Sequence, residues 1–261
     1  MFKNFIASLA FVSFLLPNAQ AGCLACDDGI IGPNDEFPIV WTKVIMISGG
    51  PGWTKAGETQ QQFSTSSPLL FNTYVANKKN NTLGEGEIYL ALQHSLNQYI
   101  TGRLGIAAAG SSPAKLQGTV LQNSNPNVQS YRYSYRIGHG RITAKTMLLF
   151  GAKDQTFMPY IMGSIGIGFN ASHQYKQTPT STLFPIVATF RSNTDSNAFA
   201  YTAGAGIEAA VNKHWHGGIG YQFADWGKSN LDSIGNQPFD EGLRLSRLYT
   251  HLVQFSLTYI C

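Results

Sequence analysis

The most constraining feature of this 261-residue chain is a two-residue alternation between apolar and small or polar side chains, repeated in long segments. The final segment, LYTHLVQFSLTYIC, carries no charged residue, and its Tyr249, Val253 and Phe255 fall on one face of an extended chain. Successive side chains of a β-strand point to opposite sides, so each such strand has one apolar and one polar face. The pattern therefore predicts an all-β fold whose strands separate two different environments.

The same alternation divides the chain into eight predicted strands. They are 39–49, 84–95, 98–110, 128–150, 157–173, 197–211, 215–226 and 247–261. Short turns at 96–98, 151–156 and 212–214 alternate with long polar loops at 50–83, 111–127, 174–196 and 227–246. In the fourth strand the apolar set changes phase after Ile137, and we expect a β-bulge at Gly138-His139-Gly140 to restore one outer face.

The strict alternation of short and long connections has a physical cause in a barrel that is inserted from one side of a membrane. Tight turns stay at the insertion side, while loops on the far side extend into solvent. Lipid cannot hydrogen-bond to the backbone, so a spanning sheet must close on itself. We therefore predict an eight-stranded antiparallel up-and-down transmembrane β-barrel with four long extracellular loops and three short periplasmic turns. The alternative is a soluble periplasmic barrel, whose apolar residues would face inward.

Composition agrees with a membrane barrel. Only 12% of residues are charged, and the net charge of +4 is too small and too dispersed to favour a nucleic-acid partner. The amino terminus has a basic residue, Lys3, an apolar stretch from 5 to 16 and the small residues Ala19-Gln20-Ala21. This is the pattern of a cleavable secretory signal peptide, and its apolar stretch is shorter than the roughly 20 residues of a spanning helix.

The predicted organisation is a signal peptide at 1–21, a short periplasmic segment at 22–38 and the barrel at 39–261. Ala21-Gly22-Cys23 also looks like the end of a lipobox, so a lipid on Cys23 is an open alternative. In an oxidising compartment, Cys23, Cys26 and Cys261 would form one disulfide and leave one thiol over.

This architecture resembles the OmpA/Opa-like superfamily of small outer-membrane β-barrels of Gram-negative bacteria. The resemblance covers nearly all of the chain after the signal peptide, and it is carried by that peptide, the strand rhythm and the aromatic final strand. It implies an outer-membrane location, recognition by the barrel-assembly machinery, and contact with outer-membrane lipids and lipopolysaccharide. Members usually end in an aromatic residue, whereas this chain ends in Cys261 with Tyr259 as the nearest aromatic.

Charged side chains are predicted on the inner face. An eight-stranded barrel is just wide enough for side chains to fill it, and an isolated buried charge costs several kcal/mol, so these residues should pair. We expect them to plug the lumen, with a narrow gated pore as the alternative. The predicted lumen network is Glu87, Arg103, Arg132, Arg136, Arg141, Lys145 and Glu208, with Lys43 as a further candidate. Aromatic girdles at the two membrane boundaries are predicted from Trp41, Tyr99, Tyr131, Tyr133, Phe169, Tyr201, Trp215, Trp226, Tyr249 and Tyr259.

These features favour a monomeric surface protein with a structural or adhesive role, whose loops contact envelope components or host surface molecules. A small-solute channel is the main alternative, and a lipid A-modifying enzyme is a weaker one. His94-Ser95 and Ser172-His173 point to opposite faces, so we expect no catalytic pair. The G-x-G-x-x-A stretches at 166–171 and 204–209 lie within strands, so we expect no cofactor. His214 and His216 lack a nearby acidic or cysteine partner, so we expect no metal.

Overall fold

The computed structural model describes residues 40–55, 60–64, 71–152, 155–185, 189–191, 194–234 and 242–261. The chain separates into two units, Met1–Pro38 and Ile39–Cys261, and all described residues belong to the second. The predicted signal peptide at 1–21, the predicted periplasmic segment at 22–38 and the cysteines Cys23 and Cys26 therefore lie outside the described residues. Cys261 is exposed at the end of the last strand.

Eight strands form a closed antiparallel ring. The ring runs in the order β1 (Thr42–Lys55), β4 (Asn80–Ser95), β5 (Ile100–Leu121), β6 (Gln129–Phe150), β7 (Phe157–Pro179), β8 (Thr194–Ala210), β9 (Trp215–Asp225) and β12 (Tyr249–Ile260). The last strand pairs with the first, from Val44 opposite Ile260 to Thr54 opposite Thr250. This pairing explains the long alternating terminal segment, and the predicted fold class is confirmed.

Several strands extend further into the predicted loops than the alternation indicated. β5 continues to Leu121 and β7 to Pro179, so β5, β6 and β7 form a tall wall at the long-loop end of the ring. Short strands complete this end. β3 (Phe71–Ala76) pairs with the extension of β5, β2 (Gln61–Ser64) pairs with β3, and β10 (Ser229–Asn230) pairs with β11 (Arg244–Leu245).

The predicted bulge at Gly138-His139-Gly140 is wrong. Near these glycines the extra residues lie in the neighbours of β6 instead, on β5 between Ser111 and Ala114 and on β7 opposite the step from Ser134 to Arg136. A further register shift, between Val120 and Leu121, lies at the start of β6. β6 itself keeps one phase, with every second residue buried from Tyr133 to Leu149. The apparent phase change arose because the residues before Gly138 that face inward are apolar, whereas several of those after it are polar.

The outer surface of the ring is an apolar band. Its large side chains are exposed to the surroundings by about 40–65% of their area. They include Ile45, Ile47, Ile88, Leu90, Leu92, Leu104, Ile106, Ile142, Ile161, Ile165, Ile167, Phe199, Ile207, Ile219, Phe255 and Leu257. Among the described residues, no helix is long and apolar enough to span a membrane.

Candidate functional site: a filled lumen beneath an aromatic cap

The lower part of the lumen is crossed by a bidentate ion pair. Arg103 on β5 donates from Nη1 and Nη2 to the two carboxylate oxygens of Glu208 on β8, at 2.7 and 3.0 Å. Arg103 Nε donates to Gln93 Oε1 at 2.7 Å, and His216 Nδ1 lies 2.9 Å from Glu208 Oε1. Both charged side chains are 1% exposed, so the pair ties opposite walls of the barrel together in an environment removed from solvent.

A second charged cluster lies higher in the lumen. Arg141 on β6 contacts Glu85 and Glu87, both on β4, and Lys145 forms an ion pair with Glu87. Gln222 Nε2 donates to Glu85 Oε1 at 3.1 Å. The four charges are buried and sum to zero, which is the condition under which a low-dielectric interior tolerates them.

The polarity of the ring is therefore the reverse of that in a soluble barrel, with ion pairs inside and an apolar band outside. Such a closed ring satisfies its backbone internally and presents a mainly apolar surface to lipid. The chain is an outer-membrane β-barrel. The soluble alternative is excluded, and the short turns and both ends of the barrel sequence lie at the periplasmic side.

An aromatic and aliphatic cluster closes the extracellular end of the barrel. We call this cluster, with β2, β3, β10 and β11, the outer cap. Its buried members are Tyr74, Leu116, Val120, Tyr133, Tyr135, Ile137, Tyr175, Phe190, Ala224, Trp226, Leu231, Leu243, Leu245 and Leu248. The predicted loops are therefore not a wholly polar surface, because segments from all four of them contribute to one packed core.

Trp226 joins the outer cap to the lumen. Its indole Nε1 donates to Thr250 Oγ1 at 2.9 Å, and the Arg141 guanidinium lies 4.3 Å from the centre of its ring. Asn170 Nδ2 donates to the carbonyl oxygens of Trp226 and Lys228, at 2.9 and 2.7 Å. His139 completes the layer, with Nδ1 2.6 Å from Asn170 Oδ1. The first residues after β9 are thus held across the top of the lumen.

The phenols of the outer cap are buried above the apolar band. Burial raises the pKa of Tyr74, Tyr133 and Tyr175 above that of an exposed tyrosine. They therefore stay neutral at physiological pH. Tyr175 donates from its hydroxyl to Gln177 Oε1 at 2.6 Å.

Five of the seven predicted lumen charges face inward, namely Glu87, Arg103, Arg141, Lys145 and Glu208. Arg132 and Arg136 do not, because β6 keeps its phase and places these even-numbered positions on the outer wall, where both are exposed. Lys43 is also exposed on the outer face. The sequence interpretation missed Glu85, although it stands two residues before Glu87 and therefore shares its face.

The predicted aromatic girdles need a similar correction. Tyr133 and Trp226 are 5% and 0% exposed and belong to the outer cap, and Tyr131 packs against it. The other predicted members lie on the outer surface or in the turns at its edge: Trp41, Tyr99, Phe169, Tyr201, Trp215, Tyr249 and Tyr259. Trp53 and Phe150 also face outward. Trp53 stacks on His251 at the extracellular boundary, whereas Trp215 contacts Tyr259 at the periplasmic boundary.

Within the described part of the chain, no group of three or more metal-ligating side chains comes together. His214 Nδ1 lies 2.9 Å from the Ile260 carbonyl oxygen. His216 faces the lumen and has an acidic partner there, Glu208, which the sequence interpretation missed. Ser172 shares a hydrogen bond with Ser229, and the neighbouring His173 has Nδ1 near the Ala171 carbonyl oxygen. The sequence neighbours Ser172 and His173 therefore have separate partners.

Comparison with known proteins identifies similar folds only. No protein-family model and no curated protein matches the chain. Similar solved structures include the outer membrane protein OprG from Pseudomonas aeruginosa, at 11% identity and TM-score 0.47 over 82% of this chain and 95% of that one. The outer membrane protease OmpT from Escherichia coli matches at 8% identity and TM-score 0.44 over 88% and 99% of the two chains. Neisserial surface protein A matches at 9% and 0.40 over 84% and 96%. All three TM-scores are below 0.5, so the assignment of the architecture depends on the closed ring of strands described above and not on these similarities.

Proposed function

We propose that this protein is a closed, non-enzymatic barrel that acts at the cell surface through its extracellular end, in a structural or adhesive role. The observation that carries the proposal is the filling of the lumen at successive levels. Arg103–Glu208 crosses the lower part, Arg141 and Lys145 pair with Glu85 and Glu87 above it, and Trp226 covers them.

The apolar side chains packed around the lower ion pair also support the proposal that the lumen is closed. Around the lower ion pair, the inward side chains Val44, Met46, Tyr89, Met147, Leu149, Tyr160 and Met162 form a buried apolar cluster. An ion that crossed this level would lose its hydration in a space lined by apolar side chains and by charges that already pair with each other, which is unfavourable. We therefore expect the barrel to conduct poorly, and we place its activity on the outer cap and the surrounding wall.

The experiment is a conductance measurement on the purified barrel in planar lipid bilayers. We expect no discrete current steps from the wild-type protein. The comparison variant is Arg103→Ala/Glu208→Ala/Glu85→Ala/Arg141→Ala/Trp226→Ala, which removes an ion pair from each level of the lumen together with the tryptophan above them. This variant should give steps, because its lumen is wider at each level that the wild type fills. Steps of similar size and frequency from both proteins would contradict the proposal.

One observation favours a small-solute channel as the second candidate. Several buried atoms near Arg141 lack a hydrogen-bond partner among the described residues: Arg141 Nε and Nη1, Glu85 Oε2, Thr143 Oγ1 and Gln222 Oε1. Such atoms would suit a hydrated passage lined by both signs of charge. The channel predicts wild-type current steps that are lost when Arg141 and Glu85 are replaced by Met and Leu, which fill the same space without charge.

A further inference from the structure

Four exposed cations converge on the outer wall of the barrel, on the face opposite the outer cap core. Lys115 lies on β5, Arg132 and Arg136 on β6, and Lys176 on β7. Lys115 is the direct cross-strand partner of Arg136, and Ser134, between the two arginines, is the partner of Lys176. The four side chains therefore form one patch on three adjacent strands, which we call the basic wall.

The basic wall has no acidic counterpart. The segments 71–80, 111–137 and 172–185, which form it and its borders, contain no aspartate or glutamate but add Lys78 and Lys79. None of its four cations forms an ion pair within the described residues, whereas the charges of the lumen are paired. Like charges directly opposite each other on a sheet are destabilising, so the pair Lys115 and Arg136 costs stability unless an external anion neutralises it.

The surface at the basic wall is concave rather than flat. A cleft of about 690 Å³ lies between the end of β3 and the wall, and Lys115, Arg132 and Lys176 line it together with Gln117 and Thr178. A smaller adjoining recess of about 150 Å³ is lined by Arg136, Lys115 and Lys176. The cleft thus combines cations with neutral amide and hydroxyl groups, which is the chemistry that binds phosphorylated sugars.

The height of the basic wall indicates which anion reaches it. Phe169 is the last large apolar residue on the outer face of β7, and His173, the partner of Arg136, follows four residues later. With a rise of about 3.3 Å per residue and a tilt of about 40°, Arg136 lies roughly 10 Å above the edge of the apolar band. Because the wall faces sideways, this height corresponds to the head groups and inner sugars of the surrounding lipids.

We propose that the basic wall is a binding site for the phosphorylated head group and inner sugars of lipopolysaccharide in the outer leaflet. The site would orient the barrel among its lipids and hold an ordered glycolipid against β5, β6 and β7. This inference rests on the proposed exposure of the outer cap at the cell surface. The proposed function and this inference are tested independently, because the conductance experiment reports on the lumen and glycolipid binding reports on the outer wall.

The test compares two variants of the full chain refolded in detergent micelles. The first carries Lys115→Gln, Arg132→Gln, Arg136→Gln and Lys176→Gln. The matched control removes the same number of exposed cations elsewhere, through Lys43→Gln, Arg191→Gln, Lys213→Gln and Lys228→Gln. Affinity is measured by thermophoresis at low and high salt for three ligands: purified deep-rough lipopolysaccharide, the same material after chemical dephosphorylation, and heparin. Heat-dependent gel mobility shows that each variant is folded.

We expect the first variant to bind lipopolysaccharide at least about tenfold more weakly than the wild type, and to lose most of the salt dependence. The control should stay within about twofold of the wild type, and dephosphorylated lipopolysaccharide should bind the wild type about as weakly as the first variant binds the native glycolipid. An equal loss in both variants, or unchanged binding after dephosphorylation, would overturn the proposal. Binding of heparin without binding of lipopolysaccharide would overturn it as well, in favour of a soluble polyanion.

Discussion

At the residue scale, the buried pair of Arg103 and Glu208 holds two walls of the barrel at one level. Replacing Arg103 by Ala leaves Glu208 buried with only His216 and neighbouring dipoles beside it. Removing one partner of a buried ion pair typically costs about 3–5 kcal/mol, and His216 should keep the loss near the lower end. We expect the free energy of unfolding of Arg103→Ala to fall by about 3 kcal/mol, measured by urea titration in lipid vesicles.

The control for this prediction is the double variant Arg103→Ala/Glu208→Ala, which removes both charges. It should recover a substantial part of the loss, because no uncompensated charge remains, and a complete double-mutant cycle isolates the coupling between the two side chains. If the single and double variants were equally destabilised, the ion pair would contribute nothing, and the loss would come from packing alone.

At the element scale, the glycines of β9 leave room for a bulky side chain from another strand. The ring of Tyr160, on β7, lies over Gly220, and a Cβ added there would meet Tyr160 Oη at 2.3 Å and the Ala205 carbonyl oxygen at 2.9 Å. At Gly217, in the same strand, an added Cβ would have no neighbour within 4 Å. The contact with Tyr160 therefore requires glycine at position 220, whereas no such contact requires it at position 217.

We expect Gly220→Ala to destabilise the barrel by about 1–3 kcal/mol, because the substitution overpacks a filled lumen. The matched variant Gly217→Ala should be neutral or stabilising by up to about 1 kcal/mol, since it mainly restricts the unfolded chain. Equilibrium unfolding monitored by tryptophan fluorescence measures both. Equal destabilisation of the two variants would show that strand flexibility, rather than the contact with Tyr160, requires the glycine.

At the scale of the whole molecule, closure of the ring by β1 and β12 predicts resistance to detergent. The unboiled protein should migrate differently from the boiled protein in a denaturing gel, because the closed hydrogen-bonded ring persists in detergent until heated. Chymotrypsin should cut the unboiled form near Leu183, which is 87% exposed in the turn after β7, and spare the strands. Identical mobility of the two samples, with the protein in the aqueous fraction, would contradict the membrane barrel.

The number of ring strands, their approximate positions and the side of each connection could be read from the sequence. Alternation along a strand is a local property, and the polarity of the environment on each face enforces it residue by residue. Most of the inward charges followed from the same alternation. The inward orientation of Glu87, Arg103 and Glu208 could be predicted from the alternation of apolar and polar residues in their own strands.

Only the tertiary structure shows which residues contact one another and which residues of a given strand face inward. Arg132 and Arg136 face outward because the extra residues lie in β5 and β7, so the register of β6 depends on its neighbours. The outer cap joins segments that are far apart in sequence, as in the contacts of Tyr74, Phe190 and Trp226 within one core. Arg141 and Glu85 are 56 positions apart, and they meet because the inward curvature of the sheet brings β4 and β6 together across β5. Local alternation fixes which face of a strand is polar, whereas register, bulges and partners follow from the packing of the whole ring.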